Sequence, residues 1–149
     1  MAEGKYDKLF TTEPMMNSIY PPFKKFLLCN IEDEISFSIR FTHIIQPFEG
    51  KEPPHAHDFD EIFSWVPCTE DLTEFDAEVE LYLGEEQEKY VINKTTVAHI
   101  PKGLVHCPII YKRVGKPIFF VNCQQSSKYT QIGKDGISRP LMPPPPRPQ

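Results

Sequence analysis

The 149-residue sequence lacks several features that mark common classes of protein. Its four cysteines, Cys29, Cys68, Cys107 and Cys123, form no C-x-x-C pair, which argues against a zinc ribbon or a thioredoxin-like redox motif. We expect them to be free thiols. Positive charge is also scarce, because 16 basic residues face 21 acidic ones and the formal net charge is −5. That balance disfavours nucleic acid and anionic membranes as partners.

Long apolar runs are absent as well. No stretch approaches the roughly 20 apolar residues that a bilayer-spanning helix needs, and the first residues lack the apolar centre of a signal peptide. We therefore expect a cytoplasmic protein with no membrane contact. The length and the 40% hydrophobic content predict one compact soluble domain.

Helical periodicity is missing too, since no window keeps a 3.6-residue apolar repeat for more than about two turns. The dominant repeat is two residues long. In residues 35–45 it groups apolar side chains with one histidine on a single face, which we expect to point inward: Phe37, Ile39, Phe41, His43 and Ile45. Residues 77–84 and 88–92 repeat the alternation around the turn GEEQ and predict a hairpin. Further strands are predicted in KKFLLCNI, EIFSWV and PIFFVNC, and the chain is therefore expected to be all-β.

The two ends of the chain differ from the centre in composition. Proline interrupts strand pairing because it lacks an amide proton, and the last residues, LMPPPPRPQ, are dominated by it. We expect an N-terminal arm over residues 1–23, a folded domain over 24–130 and a C-terminal tail over 131–149.

The stretch EPPHAHDFDEIFSW concentrates groups that can bind a metal. His55, His57 and Glu61 share odd positions in the sequence with Phe63 and Trp65. If a strand continues through a small bend near residues 58–60, all five side chains point the same way. Further on, HIPKGLVHCPII supplies a Pro-x-Gly turn followed by His106, which lets a third imidazole enter from a neighbouring strand.

These two stretches resemble the two motifs of the cupin superfamily. The pattern H-x-H-x3-E is matched by His55, His57 and Glu61, and P-x-G-x2-H is matched by residues 101–106 with His106. The resemblance covers roughly residues 35–123 and implies a jelly-roll β-barrel that holds a metal through these four side chains. The sequence departs from the family at the usual glycine and asparagine positions of the motifs, where it has Cys68, Thr95 and Ile110.

Three imidazoles and one carboxylate suit a borderline divalent metal and are too rich in nitrogen for calcium. An octahedral metal with these ligands keeps two positions open for water, a chelating substrate or dioxygen. We expect Fe(II), and Mn(II), Zn(II), Ni(II) and Co(II) are the alternatives.

Catalytic residues other than the metal ligands are not specified by the sequence. His43 and Tyr82 are weak candidates because they can move a proton. Arg40 could bind a substrate carboxylate or form a surface ion pair. Phe63 and Trp65 are expected to line the pocket or fill the core.

The resemblance leaves the reaction open, since cupins catalyse many reactions and some only bind ligands. Our leading hypothesis is a metal-dependent dioxygenase that acts on a small organic acid or carbonyl compound. The alternatives are a non-redox isomerase or lyase, and a non-catalytic module that binds a metal or a small ligand. We also expect a homodimer, because cupins are commonly dimers and both arms carry apolar residues.

Overall fold

A computed structural model describes residues 4–17, 25–30, 36–126 and 130–140 of the chain. The described part is built almost entirely of β-strands, and its one helical segment is a short 3₁₀ turn at Asp7–Leu9. The first six strands are β1 (Met15–Asn17), β2 (Lys25–Asn30), β3 (Ser38–Ile44), β4 (Phe48–Glu49), β5 (Glu61–Pro67) and β6 (Ala77–Leu83). The other six are β7 (Glu88–Ile92), β8 (Thr96–Ile100), β9 (His106–Val114), β10 (Ile118–Gln124), β11 (Thr130–Ile132) and β12 (Ser138–Pro140). No helix in these described ranges has the length and apolar composition that crossing a membrane requires.

The strands form two antiparallel sheets and a separate hairpin. The larger sheet has the order β1-β2-β3-β10-β5-β8, and the smaller sheet has the order β4-β9-β6-β7. Among the described strands, β11 and β12 pair only with each other. This arrangement confirms the predicted all-β jelly-roll class. Hydrogen bonds do not close the two sheets into a continuous barrel, so the core lies between two facing sheets.

The core is formed by side chains that alternate inward along each strand. In β5 the residues Glu61, Phe63, Trp65 and Pro67 are buried while those between them are half-buried or exposed. The main apolar cluster contains Ile44, Phe63, Trp65, Ala77, Val79, Leu81, Ile92, Ile100, Tyr111 and Ile118. The predicted hairpin is confirmed as β6 and β7, which pair from Val79 with Ile92 to Leu83 with Glu88.

Strand β3 faces the opposite way from the prediction. Ser38 and Ile44 are its buried residues, while His43 is exposed and Phe37, just before the strand, is 40% exposed. The apolar alternation was therefore a misleading guide to the inward face. The physical reason is that part of this inward face lies beside buried polar residues of β10, because Arg40 pairs with Asn122 and Ser38 pairs with Gln124.

The described parts of the two predicted arms contact the rest of the chain. In the N-terminal arm, β1 pairs with β2 at the edge of the larger sheet. In the C-terminal region, Ile132 donates a backbone hydrogen bond of 2.8 Å to the carbonyl of Ala56. The apolar residues Ile19, Tyr20, Leu141 and Met142, on which the dimer prediction partly rests, lie outside the described residues. The division into arm, domain and tail stays a prediction.

Candidate metal centre

The four predicted ligands come together at one end of the space between the sheets. His55 and His57 lie in the loop before β5, Glu61 is the first residue of β5, and His106 is the first residue of β9. All four side chains are buried, with exposures of 7%, 2%, 2% and 1% in that order. The site is therefore assembled from both sheets.

Backbone hydrogen bonds fix the loop that carries the first two histidines. His55 and His106 exchange a pair of them, with N–O distances of 3.0 and 2.9 Å, and so join the two motifs directly. Gly103 donates its amide hydrogen to the His57 carbonyl over 2.8 Å. Its φ of +82° lies in the left-handed region that glycine adopts without strain, which explains the glycine of the Pro-x-Gly turn.

Each of the three imidazoles donates a hydrogen bond from Nδ1 to a backbone carbonyl. The acceptors are Pro53 O at 2.7 Å for His55, Leu104 O at 2.9 Å for His106, and Thr130 O for His57. A carbonyl oxygen can only accept, so Nδ1 carries the hydrogen in each ring. In a neutral imidazole the other nitrogen, Nε2, then offers a lone pair, as a metal ligand must.

The Nε2 atoms converge on the Glu61 carboxylate. Glu61 Oε1 lies 3.2 Å from His57 Nε2 and 3.3 Å from His106 Nε2. Oε1 is buried and has no hydrogen-bond partner among the residues that the structure describes. Lone pairs of nitrogen and oxygen thus face one another in a water-poor space, which is unfavourable without a cation among them. The donor set therefore fits a divalent metal, and one possible ligand group contains His57, Glu61 and His106.

Burial and neighbouring groups keep these side chains in the forms that a metal binds. Burial lowers the pKa of both His55 and His57 and favours their neutral forms. Burial alone would raise the pKa of the Glu61 carboxyl, but His106, His57 and the Asn122 amide together lower it below its ordinary value. These effects thus favour neutral imidazoles at His55 and His57 and a charged carboxylate at Glu61.

Asn122 orients the carboxylate from the neighbouring strand β10. Its Nδ2 donates a hydrogen bond of 2.9 Å to Glu61 Oε2, and its side chain is only 5% exposed. Asn122 lies outside both sequence motifs. One signal was available, because Asn122 shares its parity in PIFFVNC with the inward-facing Ile118 and Phe120.

The hairpin of β11 and β12 holds the ligand loop from outside. Besides the Thr130 carbonyl that accepts from His57, the Thr130 hydroxyl donates to Asp58 Oδ1 over 2.9 Å. The amide of Ile132 donates to Ala56 O. On the inner side, Phe59 stacks on the His57 ring with 4.7 Å between centroids, and Phe63 meets His106 edge-on at 5.6 Å. Phe63 therefore forms part of the site wall, as predicted, whereas Trp65 lies in the core.

The two weak catalytic candidates lie elsewhere. His43 is on the outward face of β3, where its ring packs 5.1 Å from that of Phe119. Tyr82 is half-buried in β6 and donates its hydroxyl to Glu80 Oε2 over 2.9 Å. Neither side chain lies in the histidine cluster. Side chains alternate between the two faces of a strand, and His43 and Tyr82 are on the face that points away from the interior.

Comparisons with known proteins support the fold. No protein-family model matches the chain, and no curated protein sequence matches it. Among solved structures, oxalate oxidase in complex with the substrate analogue glycolate is 16% identical, with a TM-score of 0.51 over 95% of this chain and 67% of that chain. The capsular polysaccharide assembling protein CapF from Staphylococcus aureus is 14% identical, with a TM-score of 0.52 over 78% of this chain and 30% of that chain. The chain has a cupin fold.

The cupin fold agrees with the resemblance seen in the two sequence motifs. At these identities the likeness shows the fold alone, since one fold supports many unrelated activities. The function must therefore be argued from the side chains of the site itself.

Proposed function

We propose that this cupin binds one divalent transition metal through His55, His57, Glu61 and His106. The observation that carries the proposal is the buried, unpartnered Glu61 Oε1, which faces two imidazole nitrogens at 3.2 and 3.3 Å. Three nitrogen donors and one oxygen donor suit Fe(II), Mn(II), Co(II), Ni(II) or Zn(II). The hydrogen bonds from Nδ1 to backbone carbonyls supply the outer contacts that hold ligating histidines in place.

We further propose that the protein is an enzyme of the dioxygenase type with Fe(II) as its metal. A metal bound at this site supplies a Lewis acid and, as Fe(II), electrons for dioxygen. Residues of the chain would position the metal ligands and exclude water from them. Asn122 holds the Glu61 carboxylate, while Phe59 and Phe63 shield two of the imidazoles from water.

The position and charge of Arg40 support our proposal that the substrate is a small organic acid. It lies on the inward face of β3, directly across from Asn122 in the β3–β10 ladder, and its side chain is half-buried. Its positive charge opposes the rise in the pKa of the buried Cys107 and Tyr111. A guanidinium on this inward face can pair with a substrate carboxylate.

His43 and Tyr82 are not placed to serve a non-redox isomerisation or elimination. Such a reaction needs a side chain that moves a proton at the substrate. His43 is on the outward face, and the Tyr82 hydroxyl is engaged with Glu80. A metal held by His55, His57, Glu61 and His106 would supply the chemistry of an oxidation with less demand on a protein base.

Oxygen consumption tests this proposal. Protein freed of metal is loaded anaerobically with Fe(II) or Zn(II) and mixed with a panel of small 2-hydroxy and 2-oxo acids in aerated buffer. We expect oxygen uptake with at least one acid for the Fe(II) form alone. Arg40→Gln should raise the KM for that acid roughly 10- to 100-fold, as expected for the loss of a charge-assisted hydrogen bond. Arg113→Gln, which alters an exposed ion pair with Asp76, is the matched control.

Two other results would contradict the dioxygenase assignment. Turnover of an acid by the Zn(II) form without oxygen uptake would indicate an isomerase or lyase. Tight binding of metal and acid with no turnover under either condition would indicate a binding module.

A further inference from the structure

Two consecutive residues at the start of β9 are both buried. His106 is 1% exposed and Cys107 is 3% exposed. Successive side chains of a regular strand point to opposite faces of the sheet, so one of these two should face away from the interior. Their common burial means that the strand is irregular at this point.

The irregularity is a β-bulge. His106 pairs with Leu83 and Ile109 pairs with Leu81, so Cys107 and Pro108 together oppose the single residue Tyr82. Cys107 also has a φ of +79°, a backbone conformation that is uncommon for any residue but glycine. Bulges next to functional sites re-aim a side chain, and local strain of this kind concentrates where function requires it. Here the bulge turns the thiol inward beside His106.

The thiol belongs to a second group of metal-binding atoms. Cys107 Sγ and one nitrogen each of His55 and His106 lie within 4.8 Å of one another, and all three residues are buried. His106 is shared with the group of His57 and Glu61, whose ligand atoms lie equally close together. The two groups share His106, so the thiol lies beside the proposed four-ligand site.

We propose that Cys107 is a fifth donor to this metal centre. The inference rests on the proposed metal site and adds a sulfur ligand to its three nitrogens and one oxygen. As the sulfur–metal bond forms, the thiol releases its proton to the buffer, and neither sulfur nor metal changes oxidation state. A thiolate is a soft donor that Fe(II), Co(II) and Zn(II) all accept, and it fills one of the two positions that four ligands leave open on an octahedral metal, so that one position remains for substrate or dioxygen.

A carboxylate also lies close to the thiol, because Cys107 Sγ is 3.9 Å from Glu52 Oε2. A thiol that coordinates a divalent cation loses its proton outright.

Cobalt spectroscopy tests the proposal. Metal-free protein is titrated with Co(II), whose visible absorption reports binding and whose near-ultraviolet charge-transfer band reports a bound thiolate. We expect both signals in the unaltered protein and in the control Cys123→Ser, whose thiol is half-buried on the outward side of β10. Cys107→Ser should keep the visible absorption, lose the charge-transfer band and bind Co(II) about 10-fold or more weakly.

The outcomes separate this inference from the proposed metal site. Visible absorption without a charge-transfer band overturns the role of Cys107 and leaves the other four ligands in place. A charge-transfer band that persists in Cys107→Ser also overturns it, and no cobalt signal at all overturns both proposals.

Should Cys107→Ser fail to fold, X-ray absorption of the Zn(II)-loaded Cys123→Ser protein decides the question. A zinc–sulfur distance of about 2.3 Å supports the proposal, and a shell of nitrogen and oxygen at about 2.0 to 2.2 Å alone contradicts it.

Discussion

Asn122 and Glu61 are 61 residues apart in the sequence, yet they form a buried hydrogen bond of 2.9 Å between Nδ2 and Oε2. The bond joins neighbouring strands β10 and β5 of the larger sheet. Its effect is to hold one carboxylate oxygen so that the other, Oε1, faces the imidazoles of His57 and His106. The amide is thus an outer support for the proposed metal ligand.

Replacing Asn122 with leucine should weaken metal binding by roughly 10- to 100-fold, because loss of such an outer contact leaves the ligand free to turn. The measurement is a competition titration with a chromophoric chelator. Gln124→Leu is the matched control, since Gln124 is buried on the same face of β10 but donates to Ser126 O. Equal affinities in the two variants would show that the amide does not support the ligand.

The β11–β12 hairpin should also contribute to metal affinity. Ile132→Pro removes the amide that donates to Ala56 O, and the resulting shift of the hairpin should release the Thr130 carbonyl from His57. We expect metal affinity to fall about 10-fold or more. Ile132→Ala keeps the amide and should bind metal almost normally. If both variants bind like the unaltered protein, the hairpin does not position His57.

The ligand positions could be predicted from the sequence because a short motif sets their spacing. The supports of those ligands could not, since they depend on contacts over long separations. Asn122 meets Glu61 across two strands, and Thr130 uses a backbone carbonyl that any residue would provide. The inward position of the Cys107 thiol could not be predicted for another reason. The bulge in β9 interrupts the alternation of side chains on which such a prediction depends.

The error at β3 has a related cause. Its inward face carries Ser38 and Arg40 near the cluster, whereas Ile39 and Phe41 lie on the other side. A rule that places apolar side chains inside fails where a strand lines a polar site. In β6, which helps to fill the core, the apolar Ala77, Val79 and Leu81 are buried as the rule expects, although Glu80 is buried as well.

The metal-free protein should lose stability as the pH falls from 8 to 5.5. Burial lowers the pKa of His55 and His57 below the ordinary value of 6.5, so below that pH the unfolded chain binds more protons than the folded chain. Stability is therefore present above about pH 6.5 and declines as the pH falls towards the folded-state pKa values. Melting temperatures measured across this range test the prediction.

The same experiment has an internal control. His57→Gln removes one of the two buried titrating groups and should flatten the pH dependence, whereas His43→Gln alters an exposed imidazole and should leave it unchanged. An unaltered profile in His57→Gln would contradict the assignment.

Assembly as a homodimer remains a prediction. Leu9, Phe10 and Met15 of the N-terminal arm are 61%, 75% and 42% exposed, so they are available to a second copy. Deletion of residues 1–20 should yield monomer or aggregate while the four metal ligands are retained. Light scattering that finds the intact chain monomeric at micromolar concentration would show the dimer prediction to be wrong.

Metal content is the most direct test of the central claim that the four clustered side chains hold a metal. The metal content of protein purified without chelators is measured by elemental mass spectrometry. The same measurement is made on the control His43→Ala and on four ligand variants: His55→Ala, His57→Ala, Glu61→Ala and His106→Ala. We predict close to one divalent transition metal per chain in the unaltered protein and the control, and a sharp loss of metal in the other four. Metal-free protein that takes up no metal, or equal metal content in all the variants, would contradict the account.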